Sequence, residues 1–143
     1  MKKYDYALVS GGFDPVHIGH VQMFKEAGIL ADNVVVLLNS DEWLIRKKGK
    51  AFMDAEHRKA ILDELKCVTK VIIQSSDADN SSSNAIMNFA IQHNEAKICF
   101  CNGGDRKDNK TIRESETCNQ YNVALEYGVG GSYKAASSSD LLD

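Results

Sequence analysis

Gly11-Gly12-Phe13-Asp14-Pro15-Val16-His17-Ile18-Gly19-His20 decides the fold of this chain. The apolar run Tyr6-Ala7-Leu8-Val9 precedes it and reads as a buried strand. Val21-Gln22-Met23-Phe24-Lys25-Glu26-Ala27 follows, with apolar residues at helical spacing. A glycine-bearing turn from strand into helix is where α/β proteins bind phosphate, because the helix start offers unpaired N–H groups and the positive end of a dipole. His17 and His20 stand three apart at that helix start, so both rings project from one face. Gly19 between them has no side chain to block a ligand. Two ring donors beside an N–H cradle suit the stabilisation of charge on a transferring phosphoryl group.

Outward from this turn, strands and helices alternate. Asn33 to Asn39 is a continuous, β-branched apolar run, as expected of a central parallel strand buried on both faces. Asn39-Ser40-Asp41 carries capping residues for a short helix through Trp43 and Leu44. Ile45-Arg46-Lys47-Lys48-Gly49-Lys50 then forms a basic cluster around a glycine. Asp54 caps a helix through Arg58, Ile61, Leu62 and Leu65. Thr69 to Gln74 is a third strand, and Ser75 to Ser83 a polar loop whose last serines cap a helix from Ala85 to His93. Lys97 to Cys101 is the fourth strand and ends in Asn102-Gly103-Gly104-Asp105-Arg106. A polar helix over Thr111 to Asn119, a strand over Val123 to Tyr127, a glycine loop (Gly128, Gly130, Gly131) and a short capped helix at Asp140-Leu141-Leu142 complete the chain. This alternation predicts a Rossmann-like three-layer α/β sandwich with a mostly parallel five-stranded sheet, in one domain over 1–143. Ligands of such sheets bind outside the carboxyl ends of the strands. Those ends coincide with Ser10-Gly11-Gly12, Asn39-Ser40-Asp41, Asn102 to Asp105 and the Gly128–Gly131 loop. The glycine- and charge-rich stretches therefore gather on one rim.

Bulk properties bound the function. A chain of 143 residues buries a real core, and its net charge of -3 lacks the basic footprint of a nucleic-acid binder. No apolar run reaches the length of a membrane span, and Met1-Lys2-Lys3 leads into a strand rather than a signal peptide. The cytoplasm is the expected location. Cys67, Cys99, Cys101 and Cys118 form no CxxC pair; Cys99 and Cys101 share one face of a strand and read as small buried hydrophobes. Trp43 reads as a packed aromatic and His93 as a surface helix residue.

The decapeptide resembles the HxGH signature of the nucleotidyltransferase superfamily. That superfamily includes the small cytidylyltransferases of glycerol-3-phosphate type, the heptose-phosphate adenylyltransferases and the nicotinate-mononucleotide adenylyltransferases. The resemblance runs from Ser10 to Leu142 and implies roles for later segments. Arg46 to Lys50 resembles the family's lysine-bearing loop, in which Lys47 or Lys48 reaches over the triphosphate; a lysine arriving with substrate neutralises charge on the five-coordinate phosphorus. Glu56-His57-Arg58-Lys59 matches the EHR or EQR helix start, which gives Arg58 a phosphate-binding role suited to its planar fork. The plain alternative for Arg58 is a surface ion pair with Asp54 or a glutamate. Gly103, Gly104 and Asp105 resemble the GGD segment that reads base and ribose, although Arg106 stands where relatives often carry an aromatic residue. Ser137-Ser138-Ser139 resembles the hydroxyl run that holds the β- and γ-phosphates, with Lys134 in place of an arginine. Gly11, Gly12, Phe13, Asp14 and Gly19 complete the expected nucleotide contacts. Asp14 either joins the phosphates in binding Mg2+, the expected cofactor, or bonds its own backbone as a turn residue.

The implied reaction is in-line attack by a substrate phosphate on the α-phosphorus of a nucleoside triphosphate, with pyrophosphate leaving. His17 and His20 would stabilise the transition state, with a lysine and Arg58 assisting. Length and the EHR helix favour CTP with a small phosphorylated acceptor such as glycerol 3-phosphate or a phospho-alcohol. The Gly-Gly-Phe-Asp-Pro-Val-His string keeps open ATP with a sugar phosphate or nicotinate mononucleotide. A nucleotide-binding sensor without turnover is the alternative of another class. Relatives are commonly dimers, so a homodimer is expected, with no nucleic-acid or membrane partner.

Overall fold

The structure is a computed structural model and describes residues 2–74, 81–103 and 113–130. Its strands are β1 (Tyr4–Gly11), β2 (Ala31–Asn39), β3 (Lys70–Gln74), β4 (Ile98–Cys101) and β5 (Ala124–Glu126). They form one all-parallel sheet in the order β3-β2-β1-β4-β5. Five helices connect them: α1 (Ile18–Leu30), α2 (Asp41–Lys48), α3 (Ala55–Asp63), α4 (Ser83–Gln92) and α5 (Ser115–Gln120). The alternation of side chains along each strand divides the core in two. Ala7, Val9, Val34, Val36 and Leu38 pack with Phe24 and Ala27 of α1 and Leu62 of α3. Leu8, Val35, Leu37, Ile98 and Phe100 face the other way, onto Ile86 and Phe89 of α4 and Cys118 of α5. That is the expected three-layer sandwich, and strands buried on both faces explain why β2 has no polar alternation.

The order in which the strands are added reverses between β1 and β4, since β2 lies on one side of β1 and β4 on the other. The gap above that point is where open α/β sheets hold ligands. Ser10, Asn39 and Asn102 stand at the tops of β1, β2 and β4 around it. Cys99 and Cys101 share one core face with their sulfurs 3.8 Å apart, and both are buried free thiols, as read from the alternation. Among the described residues no helix is long and apolar enough to cross a membrane.

The basic cluster departs from expectation. Arg46, Lys47 and Lys48 are the last turn of α2 rather than a loop, and the helix ends at Gly49 with φ 85°. Ser40 starts the helix by accepting from Trp43 N at 3.2 Å, Asp41 and Glu42 fill its first turn, and the cations lie at its negative end. Gly49 supplies the left-handed residue that stops it. The capping signals were present; the charge run hid the helix. Gly104, Asp105, Arg106, Lys134 and Ser137 to Ser139 lie outside the described residues.

Candidate active site

The two histidines begin α1 in an unusual way. His17 is the N-cap, and its Nδ1 accepts from Gly19 N at 3.1 Å. His20 Nδ1 accepts in turn from His17 N at 3.1 Å. This is a reciprocal capping box built from two imidazoles, at the spacing normally occupied by serine or threonine and glutamate. A ring nitrogen that accepts from an amide carries no proton, so each neutral ring holds its proton on Nε2. The rings stack with centroids 3.8 Å apart and planes 22° apart. Two Nε2–H donors therefore stand side by side. Gly19 N–H is engaged by His17, and the helix start reaches outward through the imidazoles. Polarisation along each N–H···Nδ1 contact strengthens the outer donor.

Both rings are held neutral. Burial pushes His17 below the ordinary histidine value. Burial pushes His20 down to about 3, and the neighbouring His17 and Lys48 act in the same direction. The seat of His20 is Phe13, whose ring meets it edge-on at 4.7 Å and Phe24 at 5.3 Å. Phe13 is only 5% exposed, so its ring supports His20 and is not available to stack on a base. A Cβ on Gly11 would lie 2.9 Å from the Phe13 ring, and one on Gly12 would lie 3.0 Å from Leu44. These two glycines thus make room for protein side chains.

Two further expectations change. Asp14 is 1% exposed, and its carboxylate accepts from Phe52 N at 2.6 Å and Met53 N at 2.8 Å. It fastens the α2–α3 connection to the glycine turn and is not placed as a metal ligand. Among the described residues no group of three His, Cys, Asp or Glu stands together as a metal seat. Arg58 is 1% exposed: Nε donates to Met53 O at 3.0 Å, Nη1 to Gly12 O and Asn39 O at 2.8 Å each, and Nη2 to Asp41 at 2.8 Å. Four of its five N–H groups are taken, so it braces the ends of β1 and β2 and does not present a fork to phosphate. The pairing residue is Asp41, which neither sequence alternative named.

A cavity of about 430 Å³ opens at the switch point of the sheet. Ser10, Gly11, Met23 and Gly103 line it. Asn39, Trp43, Lys47, Ser82, Arg113 and Glu114 line it as well. Trp43, Ser82 and Glu114 carried no functional signal in the sequence, because topology alone brings them to one rim. Lys47 lies with Nζ 4.7 Å from the Trp43 ring centroid, an arrangement that holds a cation at the wall. Lys48 is close enough to His20 to depress its basicity. The structure thus associates Lys47 with the cavity and Lys48 with the histidines, and brings both to the site. His17 and His20 are not part of the cavity wall; they stand at the start of α1, the helix that contributes Met23.

A family model described as cytidylyltransferase-like matches residues 8–140. The chain belongs to the cytidylyltransferase-like family. Its members are nucleotidyltransferases. Among its relatives, glycerol-3-phosphate cytidylyltransferase of Bacillus subtilis (strain 168) is 39% identical over 72 residues, 50% of this chain and 54% of that protein. FAD synthase of Thermococcus sibiricus (strain DSM 12597 / MM 739) is 35% identical over 74 residues, half of each chain. The chain spans about half the length of the curated relatives it matches. A lipopolysaccharide core biosynthesis protein from Thermoplasma volcanium GSS1 superposes with TM-score 0.62 at 27% identity, covering 87% of this chain and 94% of that one. A bifunctional NMN adenylyltransferase/ADP ribose pyrophosphatase from Francisella tularensis superposes with TM-score 0.64 at 14% identity, covering 95% of this chain and 39% of that one; it shares the fold.

Proposed function

We propose that this cytidylyltransferase-like chain transfers a nucleotidyl group, CMP from CTP in the first instance, to a small phosphorylated acceptor with release of pyrophosphate. The observation that carries this is the stacked pair of neutral imidazoles with both Nε2–H groups free of the capping bonds. An acceptor phosphate oxygen attacks the α-phosphorus in line, and the bond from that phosphorus to the α,β-bridging oxygen breaks, so that the β- and γ-phosphates leave as pyrophosphate. His17 and His20 donate hydrogen bonds to the oxygens on which charge gathers, without a proton transfer. Neutral donors suit this task, because they stabilise a transient charge without trapping the pyrophosphate product as a fixed cation pair would. Lys47 and Lys48 supply positive potential from α2. Arg58 and Asp14 keep the turn and α2 in register for that contact. Magnesium belongs to this reading as a companion of the triphosphate, carried by its oxygens.

Glycerol 3-phosphate and related phospho-alcohols are the first acceptors on this reading, supported by the glycerol-3-phosphate cytidylyltransferase relative. The FAD synthase relative supports a second reading, in which ATP supplies the nucleotide. A cytoplasmic homodimer also belongs to the proposal, supported by the family resemblance. Pyrophosphate release, measured with each of four nucleoside triphosphates against a panel of phosphorylated acceptors, tests the reading. CTP-dependent release confirms it; ATP-dependent release moves it to the second reading. Tight nucleotide binding with no release under any pairing replaces it with a sensor.

A further inference from the structure

The cavity at the switch point of the sheet carries charges of both signs. Lys47 lines it from α2, and Arg113 and Glu114 line it from the start of α5. Glu114 is 7% exposed, and its Oε2 accepts from Ser82 N at 2.8 Å. Its second oxygen takes no hydrogen bond from a described residue. Three other buried polar side chains line the same space with capacity to spare. Asn39 spends Oδ1 on Gln74 at 2.6 Å and keeps its amide donors. Ser82 Oγ accepts from Gln74 at 3.1 Å and keeps its hydroxyl proton. Asn102 donates to Phe100 O at 3.3 Å and keeps its acceptor oxygen. All four are 5–7% exposed.

The buried carboxylate of Glu114 disfavours a phosphate directly beside it. What these side chains together can satisfy is a group that donates to a carboxylate and accepts from an amide and a hydroxyl. Adjacent hydroxyl groups do both. We propose that Glu114, with Asn39, Ser82 and Asn102, forms a subsite that reads adjacent hydroxyls of a bound substrate. It rests on the reading that this cavity holds the reacting molecules. Those hydroxyls belong to a polyol or sugar phosphate acceptor, or to the ribose of the nucleotide. Either way Glu114 determines specificity. A site that pairs its buried polar groups with substrate hydroxyls rejects the deoxy analogue, because those groups are then left without partners.

Calorimetry separates the sources without needing turnover. Wild type, Glu114→Gln and Ser82→Ala are titrated with glycerol 3-phosphate against propyl phosphate, and with CTP against 2′,3′-dideoxy-CTP. Thermal melting of each variant accompanies the titrations, and Ser82→Ala serves if Glu114→Gln does not fold. Wild type should prefer the hydroxylated member of one pair by about 10- to 100-fold. Glu114→Gln should reduce that preference to within about threefold while leaving the deoxy probe's affinity unchanged, and Ser82→Ala should reduce it in part. The pair that responds identifies the source. A preference that both variants retain overturns the proposal, as does a wild type blind to hydroxyls in both pairs. Tighter binding of phosphoethanolamine than of glycerol 3-phosphate also overturns it, because the carboxylate would then be reading an ammonium. A wild type that shows the preference yet releases no pyrophosphate removes the transferase reading and leaves the subsite standing.

Discussion

Replacing Arg58 separates a brace from a phosphate ligand. In Arg58→Met the carbonyls of Gly12, Asn39 and Met53 lose their donor together, and Asp41 loses its ion pair. Each buried carbonyl left unsatisfied costs about 1–3 kcal/mol. The Asp41 side chain is 42% exposed, so water takes over much of its share. Some carbonyl hydration is also recovered, and the sum comes to about 3–5 kcal/mol, in line with breaking a buried charge contact from one side. For a domain of this size that lowers the melting temperature by about 10 °C or more. Arg58→Lys keeps the charge but cannot span four acceptors at once, and costs about 2 kcal/mol. The assay is urea unfolding of the wild type and both variants with nucleotide affinity measured well below each midpoint. The brace predicts a stability loss ordered Met above Lys, with affinity for the triphosphate changed only slightly where the protein remains folded. Unchanged unfolding midpoints combined with a large loss of nucleotide affinity would refute this reasoning and restore the phosphate-binding role read from the sequence.

Three other outcomes follow from the same geometry. His20 is neutral in the folded protein down to about pH 3 but titrates near the ordinary histidine value of 6.5 when unfolded. The unfolded state therefore binds more protons between those values, so stability is complete above about 6.5 and falls as pH drops toward 3. In His20→Gln this fall flattens in acid unfolding curves, and kcat drops by about 100-fold or more; a His20→Gln protein with the wild-type acid slope sinks the assignment. Asp14→Asn replaces one backbone-accepting oxygen with a donor and costs about 2 kcal/mol, measured by thermal melting. The magnesium dependence of pyrophosphate release should stay unchanged; a raised magnesium requirement with unaltered stability would return Asp14 to the metal. Gly11→Ala drives a methyl to 2.9 Å from the Phe13 ring that seats His20. It should lower stability by about 1–3 kcal/mol and slow turnover; a variant indistinguishable from wild type in both would show that the ring has room to shift.

The sheet was legible because its signals are local and repeated. Each strand from β1 to β5 is a short apolar or β-branched run, and each lies between capping residues or glycines, so order and direction followed. The glycine turn and the His17–His20 spacing were equally plain. Legibility failed where a residue's type fitted a role its depth forbids. Arg58 and Asp14 carry side chains that suit phosphate and metal, yet both are buried beneath the turn they support. Sequence spacing reports position along the chain and says little about depth. Asn39, Ser82 and Glu114 illustrate the converse. They come from the end of β2, the start of α4 and the start of α5, and only the crossing order of the sheet brings them to one cavity. The capping box was within reach of the sequence, since His17 and His20 occupy its two positions, but imidazoles are not its usual members.

The central claim is that two neutral imidazoles at the start of α1 grip the polyphosphate of a nucleotide. Nitrogen-15 spectra of the histidine side chains at neutral pH, recorded with and without CTP and magnesium, test it most directly. The account predicts that His17 and His20 each carry one proton, on Nε2, and that both Nε2–H signals move on addition of CTP. A doubly protonated ring at neutral pH, or two rings whose signals stay in place at saturating CTP and ATP, would contradict it.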